Sequence, residues 1–98
     1  MEFDLIYTDA SKAVFLCLQN DPSKKSQYKS VGKALYLMQT DLRHPGLNTH
    51  EFSSLSKTMG CKVFESYAQN NTPGVYRIFW RYGPGKKQIT ILSITPHP

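Results

Sequence analysis

The 98-residue sequence predicts one α+β domain of order β-α-α-β-β-β, an antiparallel sheet with a helical hairpin packed on one face. Three observations lead there. A short alternating stretch opens the chain, apolar residues at helical spacing follow it, and after Gly60 come three runs rich in β-branched and aromatic residues. With 40% apolar composition the chain can fill one core and not two, so residues 1–98 are read as a single domain.

From Glu2 to Thr8, Phe3, Leu5 and Tyr7 alternate with Asp4, Ile6 and Thr8, the period of a strand. Thr8 or Asp9 supplies a side-chain oxygen to cap a helix. Ala10, Ala13, Val14, Cys17 and Leu18 then fall at helical spacing, predicting a short, mostly buried helix. Asn20-Asp21-Pro22 ends it and starts the next, because proline suits the first helical turn, where its missing N–H goes unneeded. Tyr28, Val31, Leu35, Met38 and Leu42 trace the apolar stripe of that second helix. Lys25, Lys29 and Lys33 run along another of its faces and are read as a solubilising ridge.

His44-Pro45-Gly46 is expected to stop the second helix, and Asn48 to Gly60 reads as a loop or broken helical turn. Lys62 to Ala68, Val75 to Tyr82 and Gln88 to Thr95 are the three later strands. They are joined by turns at Asn70-Asn71-Thr72-Pro73-Gly74 and Gly83-Pro84-Gly85-Lys86 into an antiparallel meander. The helical pair covers one sheet face and leaves the other for function.

Twelve Lys and Arg against seven Asp and Glu give a net charge of +5, which favours an anionic partner, either nucleic acid or an acidic protein. No run approaches the ~18 apolar residues of a membrane span. The opening MEFDLIYTDASK lacks the basic start and apolar centre of a signal peptide, so the chain is expected in the cytoplasm, with no membrane partner. Cys17 and Cys61 then read as reduced, packed thiols. Three histidines and two cysteines show no metal-ligand spacing, and no glycine-rich phosphate loop is present. Neither a metal nor another cofactor is expected.

Alternation assigns Tyr76, Ile78, Trp80 and Tyr82 to the helix side of their strand, and Val75, Arg77, Phe79 and Arg81 to the other side. Arg77 and Arg81 flanking Phe79 form a platform on which guanidinium groups bind phosphate and a ring stacks on a base. The competing reading pairs the arginines with Glu65 or a cross-strand acceptor.

Two segments extend this reading, Leu42-Arg43-His44-Pro45-Gly46-Leu47-Asn48-Thr49-His50 and Gly74-Val75-Tyr76-Arg77-Ile78-Phe79-Trp80. With the element order, they resemble the end of the second helix and the central strand of the RelE/ParE toxin superfamily, over nearly the whole chain. The resemblance implies a toxin of a type II toxin–antitoxin system, held off by an acidic antitoxin. In the RelE branch it implies an mRNA endoribonuclease, free or on the ribosome, in which a 2′-hydroxyl attacks the adjacent phosphate. The ParE branch implies instead a non-enzymatic inhibitor of DNA gyrase, and a third alternative is a binding module without catalysis.

By this resemblance Arg77 matches the arginine on the scissile phosphate, and His97 follows the last strand where relatives carry a functional Arg, His or Tyr. His50 is a candidate partner in proton transfer or a solvated loop histidine. Glu65 is either a base or an ion-pair partner of Arg77, and Tyr67 either an active-site phenol or an ordinary strand aromatic. Arg81, Lys57, Lys62 and Phe79 are candidate RNA contacts. Ile94-Thr95-Pro96-His97-Pro98 departs from the Arg-x-x-Tyr-like tail of many relatives, which leaves the catalytic set open.

Overall fold

A computed structural model describes residues 2–68 and 75–97. The expected turn at Asn70-Asn71-Thr72-Pro73-Gly74 lies outside the described residues. The elements are strand β1 (Asp4–Tyr7), helix α1 (Asp9–Asn20), a 3-10 turn (Pro22–Lys24), helix α2 (Lys25–Thr40), a second 3-10 turn (Pro45–Leu47), strand β2 (His50–Glu51), helix α3 (Ser53–Met59), and strands β3 (Phe64–Ala68), β4 (Tyr76–Tyr82) and β5 (Gln88–Pro96). The sheet order is β1-β5-β4-β3-β2.

β3, β4 and β5 form the expected antiparallel meander. β1 adds to it parallel to β5, so the sheet is mixed, an arrangement its own residues do not specify because pairing direction depends on a partner some 80 residues away. The polar stretch read as loop holds two further elements. β2 is a two-residue pairing with β3, and α3 is a short helix ended by Gly60, whose φ of 71° suits a residue without a Cβ.

The core lies between the helices and one sheet face. Leu18 of α1, with Val31, Ala34, Leu35 and Met38 of α2, packs on Ile78, Trp80, Ile89, Ile91 and Ile94. α2 ends at Thr40, capped at Asp41, so Leu42 packs on the core from beyond the helix. α1 buries Ser11 and Leu18 with Val14 and Phe15 partly covered, while Ala10, Ala13 and Cys17 are exposed. The helix expected to be mostly buried thus buries one narrow side, rotated toward Ser11 because that hydroxyl donates to Ile91 O at 3.0 Å. Cys17 and Cys61 are free but exposed, a correction to the packed thiols expected.

Ile89, Ile91 and Ile94 share the core only because β5 carries a bulge. Phe79 pairs with Ser93 and Trp80 with Ile91, leaving Leu92 as the extra residue that restores inward parity to Ile94. Leu92 O accepts a 2.8 Å hydrogen bond from the Thr8 hydroxyl, whose oxygen also accepts from Ser11 N at 3.2 Å to cap α1. One side chain therefore fixes both the helix start and the bulge. Thr8→Ala is expected to lower stability by about 1–2 kcal/mol, with Thr8→Ser recovering most of it, as read from denaturant midpoints.

Candidate functional site

The face of the sheet away from α1 and α2 collects Glu65 and Tyr67 of β3 and Arg77 of β4. Register places Glu65 opposite Phe79, Tyr67 opposite Arg77, and Arg77 opposite Thr95, so these side chains share that face. β2 brings His50 directly opposite Glu65. Asn48, at φ 48°, turns the chain out of the 3-10 turn, a conformation that asparagine tolerates better than most residues. Behind this turn the Trp80 indole donates to Ser66 Oγ at 2.9 Å, and Ser66 Oγ lies 2.6 Å from Thr49 Oγ1. The residue before His50 is thus tied to the core.

Glu65 is 2% exposed and each of its oxygens meets a basic group. Oε1 lies 2.8 Å from His50 Nε2, and Oε2 accepts from Arg77 Nη1 at 3.0 Å. His50 Nδ1 lies 3.2 Å from Asn48 O. The Arg77 guanidinium also sits 5.0 Å from the centre of the Phe79 ring, a cation–π contact on its other side. Arg77 Nε is buried without a hydrogen-bond partner among the described residues, and so is the hydroxyl of its cross-strand neighbour Thr95.

The Tyr67 ring lies 6.0 Å from that of His50 and 6.0 Å from that of His97. His97 is held by its backbone, whose N–H donates to Val75 O at 2.7 Å just past the last strand pair. His50, Glu65, Tyr67, Arg77 and His97, brought from three strands and the residue after a fourth, therefore form one cluster. Tyr67, which sequence left between two readings, is the residue both histidines adjoin.

The remaining candidates are spread out. Phe79 is 5% exposed with Phe52 packed edge-on against it at 5.1 Å, so its ring floors Arg77 and offers no face to a base, correcting the stacking platform. Arg81 lies four residues along β4, about 13 Å at strand rise, and its Nη1 donates to Tyr82 O. Lys57 is on α3 and Lys62 on the lead into β3, both exposed. Among the described residues no three His, Cys, Asp or Glu side chains group to hold a metal ion.

Burial pushes the Tyr67 phenol above its ordinary value of 10.0, helped by the Glu65 charge and hydrogen bond, with Arg77 opposing. A pKa higher in the folded than in the unfolded chain gives stability that is complete below the unfolded value and lost as pH rises through the folded one. Stability is therefore expected to fall above pH ~10, and less steeply in Tyr67→Phe, as measured by denaturant midpoints from pH ~8 to ~11. Burial also raises Tyr7, and the substitution leaves that contribution in place.

No protein-family model matches the chain, and no curated protein does. Solved structures do. A YoeB/ParE toxin from Agrobacterium tumefaciens superposes with a TM-score of 0.71 at 9% identity, over 98% of this chain and 100% of that one. The archaeal RelE–RelB complex from Pyrococcus horikoshii OT3 gives 0.65 at 14% identity, over 98% and 96%. Both superpositions span nearly the whole of either chain, and the chain has the RelE/ParE toxin fold.

Proposed function

We propose that this protein is the toxin of a toxin–antitoxin pair and that it cleaves mRNA. The observation that carries the reading is the convergence of Arg77 with two histidines, a tyrosine and a buried carboxylate on the sheet face the helical pair leaves uncovered. Those side-chain types meet the needs of RNA cleavage by its own 2′-hydroxyl. A base removes the hydroxyl proton as the O2′–phosphorus bond forms, a cation holds the developing charge, and an acid protonates the leaving 5′-oxygen. The products are a 2′,3′-cyclic phosphate and a 5′-hydroxyl.

Arg77 is the cation of this mechanism. It is a planar, permanently charged fork suited to phosphate oxygens, and 24% of its side chain is exposed. His97 and His50 are the proton-transfer candidates, since both adjoin the Tyr67 phenol. Arg81, Lys57 and Lys62 extend positive charge beyond the cluster, where they contact RNA phosphates flanking the cut. The net charge of +5 suits both this substrate and an acidic antitoxin. One structural neighbour was solved as a RelE–RelB complex, which supports an antitoxin as the partner that covers the basic face here.

The test is controlled expression of the wild type, Arg77→Ala and His97→Ala in a bacterial host, scoring growth and mapping mRNA 5′ ends. Arrest with new 5′ ends is expected for the wild type. Folded Arg77→Ala and His97→Ala are each expected to lose about 10²-fold or more of the cleavage. Arrest with intact mRNA would transfer the reading to a non-enzymatic inhibitor of a protein such as DNA gyrase. No arrest would leave a binding module.

A further inference from the structure

We propose that Glu65 is a positioning residue, a buried clamp that holds the Arg77 guanidinium and the His50 imidazole in place for a phosphate, and that it is not the base. This rests on the RNA-cleaving reading of the same site and deepens it by separating the group that orients from the groups that react.

A general base needs a lone pair within reach of the hydroxyl it deprotonates. Glu65 lacks that reach. It is 2% exposed, and each oxygen already receives a basic group, Oε1 from His50 at 2.8 Å and Oε2 from Arg77 at 3.0 Å. Its partners are more open to a substrate, with 24% of the Arg77 side chain exposed and 50% of that of His50. The reactive surface of the cluster is therefore made by the groups that Glu65 holds.

The clamp is over-determined at both ends. Arg77 is fixed between the carboxylate and the Phe79 ring 5.0 Å away, with its Nε buried. His50 is fixed between Glu65 and Asn48 O. Both of those partners are acceptors, so the two contacts are hydrogen bonds together only when His50 carries a proton on each nitrogen.

Gln and Ala at position 65 make different predictions. In Glu65→Gln the amide oxygen still accepts from Arg77, and the amide N–H donates to His50 Nε2 while Nδ1–H donates to Asn48 O, so the geometry survives with a neutral imidazole. In Glu65→Ala both partners lose their anchor. The experiment measures cleavage of a short RNA, and binding of the same RNA with a 2′-deoxy sugar at the cut, by the wild type and both variants. Alongside, nitrogen-15 NMR follows rotation of the Arg77 guanidinium in the free protein.

Glu65→Gln is expected to keep cleavage within about 10-fold of wild type and Glu65→Ala to lose about 10²-fold or more, with weaker binding of the uncleavable RNA. Guanidinium rotation is expected to be hindered in the wild type and Glu65→Gln, and free in Glu65→Ala. Equal loss of cleavage in both variants, with RNA binding and hindered rotation retained in Glu65→Gln, would make Glu65 the base and overturn the proposal. Wild-type activity in both variants, or free rotation in the wild type, would overturn it too. If the wild type cuts no RNA, the proposed function fails, while the NMR comparison still decides whether Glu65 holds Arg77.

Discussion

A carboxylate almost wholly out of water must have cationic or hydrogen-bonding partners in place, because an unpaired buried charge costs several kcal/mol. Glu65 sets this condition on the second sheet face, and much of the local structure meets it. Arg77 reaches it because β3 and β4 pair in a register that puts both side chains on one face. His50 reaches it because β2, only two residues long, lies beside β3 at that point. A slip of one residue in either pairing would send the partner to the opposite side and strand the charge. The left-handed Asn48 and the chain of hydrogen bonds from Trp80 through Ser66 to Thr49 hold the approach that His50 requires.

β4 serves two environments at once, and its alternation separates them. Tyr76, Ile78 and Trp80 enter the core while Arg77 and Phe79 turn the other way. β5 has to match this division on its own side, and it does so through the bulge at Leu92. Ile89 and Ile91 before the bulge and Ile94 after it all point inward, while Thr95 stands opposite Arg77 on the polar face. The Thr8 hydroxyl on Leu92 O extends that arrangement to the start of α1, so the first helix and the site face are coupled through one strand.

Much of this was legible wherever a period carries the signal. The three later strands, the stripe of α2 as far as Met38, a cap at Thr8 or Asp9 and the face of Arg77 follow from alternation, helical spacing and side-chain chemistry within a few residues. The parts that escaped depend on distant partners. β2 has no period to read in two residues, and without it nothing connects His50 to Glu65. α3 falls in a polar stretch, so the cover that Phe52 gives Phe79 was invisible and Phe79 read as an open ring. The parallel edge formed by β1 is likewise a property of two segments together. Tyr67 is the clearest case of partial legibility, since its face follows from its strand but its place between two histidines follows only from the tertiary fold.

The cluster is also an inefficient way to stabilise this face. Replacing a buried ion pair by apolar groups of similar volume is often neutral or favourable, because the attraction between charges scarcely offsets the loss of hydration. Apolar cover is already present here, since Phe52 and Phe79 pack edge to face directly under the arginine. Extending that cover over positions 65 and 77 would serve the fold at least as well. The charged residues instead hold a guanidinium, part-exposed, beside two histidines and a phenol, with its Nε and the Thr95 hydroxyl unsatisfied among the described residues. Unsatisfied polar atoms beside a buried ion pair are a cost to folding that packing does not explain. Under the proposed function that cost is kept for an anion, which the exposed part of the guanidinium can meet while Glu65 holds the rest.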